Sequence, residues 1–172
     1  AAAQIQQMRD GFARTWIGTS TGFDPQGDTT SMILWLEGLG IWVDPSHEGL
    51  HYMKELGLGE ADVPYVLLTH AHQDHDGGVL KRILMGKRVR LIASRVVYEE
   101  FMRKAELLLK FIDKKLDPHA LVDWVPLDPG KPLKLKLPSG KEATLRSWWN
   151  LHSIPTNGFS IEYDGFRYAH SS

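Results

Sequence analysis

Residues 67–78 read LLTHAHQDHDGG. Four side chains able to bind a metal, His70, His72, Asp74 and His75, fall within six positions, directly after the apolar run VPYVLLT. Side chains alternate along extended chain, so His70, His72 and Asp74 can project toward one side at the end of such a run. His75 comes where the backbone must turn into the next element, and it can face a second point close to the first. The spacing thus offers two histidines to one metal ion and an Asp–His pair to a neighbouring one. Burying four such groups with no metal would leave polar atoms in need of partners. Asp76, just before Gly77-Gly78, is expected to cap a helix N-terminus. The two glycines let the backbone pass close to the cluster with no Cβ in the way.

Several elements must hold this loop in place. SMILWLE and IWVDP are rich in β-formers, with a turn over Gly38 to Gly40 between them. HEGLHYMKELGLG places Leu50, Met53 and Leu56 at helical spacing and ends at Gly57 or Gly59. VPYVLLT is short and continuously apolar, the pattern of a buried strand. GGVLKRILMG predicts a second short helix, VRLIAS a strand, and VVYEEFMRKAELLLKFIDKKL a long amphipathic helix stopped before Asp117-Pro118. The apolar stripe of that helix is expected to run through Val97, Phe101, Leu108 and Phe111. The remainder is β-rich: LVDWVPL, a hairpin from KPLKLKL to EATLRSWWN, and a second hairpin turning at Asp164-Gly165. Strands at both ends with helices between predict an α/β, layered αββα architecture.

Composition narrows the class. The chain has 172 residues, 42% apolar and 24% charged, enough for one domain with a core and unlike a disordered chain. Zero Cys removes disulfides, thiolate nucleophiles and Cys-type zinc sites, so any metal must be held by nitrogen and oxygen. It also fits a reducing, cytoplasmic setting. No stretch approaches the roughly 20 apolar residues of a membrane span. A formal charge of −1 with no long basic block disfavours a long nucleic-acid substrate. The opening AAAQIQQMRDGF lacks both an initiator Met and the order of a signal peptide. Residues 1–12 are therefore expected to be the tail of an upstream segment or linker, and 13–172 the domain.

THAHQDH resembles the HxHxDH signature of the metallo-β-lactamase fold superfamily, which that fold places between a strand and a helix. IGTSTGF…TTSMILWLEGLGIWVDPS resembles the opening sheet of its ribonuclease Z-like and cyclic-nucleotide phosphodiesterase-like branch, and LHSIPTNGFSIEYDGFRYAHSS resembles a later motif of that branch. The likeness covers most of the chain apart from residues 96–116. It implies an αββα sandwich, incomplete at its C-terminus, in which His70, His72 and His152 hold one metal while Asp74 and His75 hold a second. Asp44, at a strand end, matches an Asp that often orients a ligand imidazole; turn initiation before Pro45 explains it equally well. The family adds a bridging Asp and a final His, expected beyond Ser172.

The activity implied is that of a dinuclear metal-dependent hydrolase. Two divalent ions, zinc first with manganese or iron as alternatives, would share a bridging hydroxide that attacks a small phosphodiester such as a cyclic nucleotide. Asp74 would add negative charge beside that hydroxide. The alternatives are a di-iron oxygen-binding or redox-sensing protein, a tRNA 3′-processing nuclease, a lactone or thioester hydrolase, and a regulatory domain that keeps the metal fold. The redox members usually carry Glu where His72 stands, which favours hydrolysis. Expected partners are a small phosphoester, an upstream regulatory module and, as an option, a second copy in a homodimer. His47, His51 and His119 are read as structural or exposed, and His170 as a non-ligand. Trp148-Trp149 are read as core, and Lys131, Lys134, Lys136 and Lys141 as a solvated strand face.

Overall fold

The computed structural model describes residues 11–21, 23–24, 27–112 and 115–172; most of the expected upstream tail, residues 1–10, lies outside them. Strands β1 (Phe12–Gly18), β2 (Ser31–Leu36) and β3 (Leu39–Val43) pair antiparallel. Helix α1 (Gly49–Glu55) follows, then β4 (Tyr65–Leu67), α2 (Gln73–Leu84), β5 (Val89–Ala93), α3 (Arg95–Ile112), the single turn α4 (Pro118–Leu121) and β6 (Val122–Pro126). From β3 to β6 the pairing is parallel, and the six strands form one sheet in sequence order. Strands β7 (Leu133–Lys136), β8 (Glu142–Asn150), β9 (Thr156–Tyr163) and β10 (Phe166–His170) form a second, antiparallel sheet in the order β10-β9-β8-β7.

Both faces of β2 are buried, and its alternation builds two cores. Ile33 and Trp35 join the helices' Val79, Ile83, Val97 and Phe101 on one face. Met32, Leu34 and Leu36 meet Leu135, Leu145, Phe159 and Ile161 of the second sheet on the other. This explains why β2 reads as a continuous apolar run while β8 alternates: Ala143, Leu145 and Ser147 point inward and Glu142, Arg146 and Trp148 outward. The layers run helix, sheet, sheet, which is the αββ part of the expected sandwich. The β2–β3 and β9–β10 turns take positive φ at two successive residues, Glu37 (51°) with Gly38 (82°) and Asp164 (50°) with Gly165 (79°), the twist that suits a two-residue connection.

Four expectations need correction. The tight turn is Glu37-Gly38, with Gly40 already inside β3. Helix α2 begins at Gln73 with His72 as its cap residue, so Asp76 lies inside the first turn and caps nothing. On α3 the buried stripe is Val97, Phe101, Ala105 and Leu109, leaving Leu108 half-exposed and Phe111 at 88% exposure. Apolar residues at 107–109, 111 and 112 let the sequence alone choose more than one stripe. Trp148 and Trp149 are not core but stand at 37% and 51% exposure at the end of β8. Lys134 and Lys136 do lie on the solvated side of their strand. No helix among the described residues is long and apolar enough to cross a membrane.

Candidate metal centre

The site collects at one edge of the molecule, where three chain segments meet. The end of β3 delivers Asp44, the extended stretch after β4 delivers Thr69, His70 and His72, and α2 opens with Asp74 and His75 in its first turn. The loop between β8 and β9 brings His152 across from the second sheet. A backbone bond from Asn157 N–H to Thr69 C=O (2.9 Å) ties the two sheets together at this point. Gly78 fixes how closely α2 approaches the loop after β3. Its N–H donates to Pro45 C=O (2.8 Å), and a Cβ there would stand 2.7 Å from both Pro45 Cβ and Ser46 O. Only glycine permits that contact.

Asp44 organises the interior of the site. It is 2% exposed and sits at φ 46°, a left-handed conformation that Asp adopts more readily than most residues. One carboxylate oxygen accepts from Thr69 N–H (2.8 Å). The other accepts from the Thr69 hydroxyl (2.6 Å) and from His75 Nδ1 (3.1 Å). Burial opposes its ionisation, but the hydrogen bond and charge of His75 and the bonds from Thr69 outweigh burial and hold the carboxyl below its ordinary range.

The tautomers of both imidazoles follow from this pattern. A hydroxyl has one hydrogen, and Thr69 gives it to Asp44. Thr69 Oγ1 can therefore only accept from the His70 Nδ1 that lies 2.9 Å away. His70 carries its proton on Nδ1, and so does His75, which donates directly to the carboxylate. In its neutral form each ring then leaves Nε2 unprotonated. That of His70 is buried with no hydrogen-bond partner, although such groups are nearly always satisfied in proteins.

The space that this nitrogen faces is lined by donors. The rings of His70, His72 and His152 stand 4.8–5.0 Å apart centroid to centroid, and one ring nitrogen from each can meet at a common point. His72 Nδ1 and His152 Nε2 are 3.3 Å apart. Two nitrogens bound at about 2.0–2.1 Å to one tetrahedral zinc would be separated by about 3.3 Å. The donor set therefore fits a divalent ion. Burial, followed by the charge of His75, pushes the His70 imidazole down to about 4. Burial and then His152 push His72 in the same direction. Both rings thus stay neutral, the form a metal requires.

Asp74 and His75 are adjacent in space as in sequence, with Oδ2 3.5 Å from Nε2. Burial opposes protonation of His75, but the bond and charge of Asp44, then the charges of Asp74 and Asp76, hold its imidazole above the ordinary value. A second geometric grouping joins Asp44, His70 and His75. Asp44 already accepts four hydrogen bonds there, from Thr69 N–H, the Thr69 hydroxyl, His75 Nδ1 and the Ser172 hydroxyl, so it suits orienting the two rings better than binding an ion itself. Asp74 completes no group of three among the described residues. His170, at the end of β10, belongs to neither group and bonds Ser172 Oγ (3.2 Å), whose hydroxyl lies 3.4 Å from Asp44.

A cavity of about 780 Å3 opens over these groups. His70, His72, Asp74, His75 and His152 line it together with Phe23, Asp28, Thr29, His47, Gln73 and Ser153. The sequence reading left His47 as a bystander and passed over Thr69 and Phe23. The local signal for His47 was its place three residues after Asp44 on the same loop. His51 and His119 stay away from the cavity, paired with Glu55 and Glu106.

Comparison with known proteins agrees with this architecture. Residues 24–82 match the family model of the Metallo-beta-lactamase superfamily. The chain is 32% identical over 154 residues to the cGMP-dependent 3′,5′-cGMP phosphodiesterase A of Dictyostelium discoideum, a match covering 90% of this chain and 17% of that protein. The chain thus spans about a sixth of that relative's length. Among solved structures, the metallo-beta-lactamase fold protein YhfI of Bacillus subtilis superposes with a TM-score of 0.65 at 16% identity, over 91% of this chain and 59% of that one. Human tRNase Z, short form, does so with a TM-score of 0.62 at 17% identity, over 90% and 66%. Residues 24–82 thus carry the sequence match to the superfamily's model, and the chain has the metallo-β-lactamase fold.

Proposed function

We propose that this chain, with residues 13–172 as its catalytic domain, is part of a metal-dependent hydrolase that cleaves small phosphodiesters such as cyclic nucleotides. The observation that carries the reading is the buried Nε2 of His70, whose lone pair is aimed by the Thr69–Asp44 relay at a point shared with His72 and His152. In this reading those three histidines hold one ion, Asp74 and His75 hold a second, and Asp44 orients His70 and His75 without binding either ion. Zinc suits the nitrogen-rich first set. When bound, divalent ions supply Lewis acidity toward a phosphoryl oxygen and make water nucleophilic near neutral pH.

The chain's own groups do the rest. Asp74, half-exposed on the cavity wall, accepts the proton that water gives up as it attacks phosphorus. Asp44 keeps the protons of His70 and His75 on Nδ1, away from the cavity. Support for a phosphodiester comes from the relative named as a cGMP phosphodiesterase. The near-neutral charge favours a small substrate over a long nucleic acid. A cysteine-free chain also suits the cytoplasm.

The test is hydrolysis of bis-p-nitrophenyl phosphate and of 3′,5′-cyclic GMP by metal-loaded protein. Turnover lost on chelation and restored by zinc is the expected result, with His70→Ala removing most bound metal by elemental analysis. No turnover with zinc, manganese or iron would overturn the phosphodiesterase reading. Reversible oxygen-dependent absorbance of the iron form would then move the protein to the di-iron class. Unchanged metal content in His70→Ala would overturn the ligand set.

A further inference from the structure

Helix α3 contributes nothing to the cavity wall, yet one of its side chains reaches the metal-binding loop. The Lys104 ammonium donates to Ala71 C=O (2.9 Å), the carbonyl between His70 and His72. The same ammonium is ion-paired with Asp76, two residues after Asp74 and fully buried inside the first turn of α2. Nothing in the sequence pattern links these groups, which lie 28 and 33 residues apart. A buried carboxylate is costly unless paired, so the pair holds together once α3 has packed on the sheet.

We propose that Lys104 is a positioning residue for both halves of the metal centre. The segment that leaves β4 carries the ligands on two consecutive arms: an extended arm bearing His70 and His72, and the helical arm that continues it, bearing Asp74 and His75. The Ala71 carbonyl lies in the peptide that joins the two histidines, and rotation of that peptide would turn His72 away from His70. Asp76 fixes the first helical turn that carries Asp74 and His75. A single ammonium bonded to both sets the angle between the arms, and with it the relation between the two ion positions. The inference rests on the ligand assignment proposed above and adds a residue that no metal would touch.

The test compares wild type, Lys104→Arg and the double variant Asp76→Asn/Lys104→Met. The double variant removes the tether without leaving a buried carboxylate unpaired. The readouts are the metal-free melting temperature, the zinc dissociation constant, and the visible absorption of the cobalt-substituted site. Partners that orient ligands are generally worth about 10–100-fold in metal affinity. The double variant should therefore melt within a few degrees of wild type, bind zinc about 10–100-fold more weakly and show a shifted cobalt spectrum. Lys104→Arg keeps the cation and should stay within about threefold of wild type. A double variant with wild-type zinc affinity and cobalt spectrum overturns the proposal and leaves a purely structural ion pair. If the double variant does not fold, the same two metal readouts on Lys104→Gln decide in the same sense. Wild type that binds neither zinc nor cobalt would instead refute the ligand assignment itself.

Discussion

Replacing Asp44 by Asn changes one atom and should invert the hydrogen-bond pattern of the centre. The backbone conformation, φ 46°, is one that Asn tolerates as well as Asp, so strain is not the variable. The amide cannot turn its NH2 toward Thr69 N–H, because a backbone donor cannot become an acceptor. It must place NH2 where the other oxygen now receives the Thr69 hydroxyl and His75 Nδ1. Both partners then have to accept. The Thr69 hydroxyl turns its hydrogen toward His70 Nδ1, and the proton of each imidazole moves to Nε2, pointing into the cavity. His70 serves the first proposed ion and His75 the second. Each site should lose about 10–100-fold in zinc affinity, equivalent to about 1.4–2.7 kcal/mol. Replacing the charge-assisted bonds should also lower metal-free stability by roughly 1.5–3 kcal/mol. Competition titration against a chromophoric chelator gives the affinities, and nitrogen NMR of the imidazoles reports which nitrogen bears the proton. Wild-type zinc affinity in Asp44→Asn, with His70 still protonated on Nδ1, would refute the relay.

Three further outcomes follow from the same geometry. Burial pushes the Asp76 carboxyl up to about 6 against the pull of Lys104. The folded metal-free protein then binds a proton that the unfolded chain has lost between about pH 4 and 6, so this group's contribution to stability falls as pH rises through that window. Asp76→Asn should gain relative to wild type by up to about 3 kcal/mol across it, read from urea melts at pH 4.5 and 7; a constant difference would show that Asp76 titrates normally. His70 acts in the opposite sense. Its folded value of about 4 lies below the ordinary value of 6.5, so its contribution is present above the ordinary value and is lost as pH falls toward 4. Gly78→Ala forces a Cβ to within 2.7 Å of Pro45 and Ser46, and the loop bearing Asp44 must move. It should cost roughly 1–3 kcal/mol in thermal or urea melts and weaken zinc binding; a neutral melt would mean that the loop and helix are not in fixed contact.

The sequence determined those features whose physics is local. Strand alternation and a turn into a helix are enough to expect His70, His72 and His75 close together, and in the structure the His70 ring lies 4.8 Å from that of His72 and 4.0 Å from that of His75. The Asp164-Gly165 turn and the solvated face of Lys134 and Lys136 were legible for the same reason, since each depends on residues within a few positions. Other features depended on which surfaces meet. Before folding, Asp44 was as plausible a turn residue as an orienting carboxylate; it became the latter because parallel pairing of β3 with β4 sets Thr69, 25 residues away, against it. Trp148 and Trp149 looked like core because they are large and apolar, but the strand's register turns Trp148 outward, and Trp149, though on the inward parity, lies past the last buried position at Ser147. The ion pair of Asp76 with Lys104 and the approach of His152 to His72 across 80 residues leave no periodic mark. Periodicity records only which side of one element is buried. What it is buried against is decided when two sheets and a helix layer stack, and at this centre that stacking chose the hydrogen-bond partners.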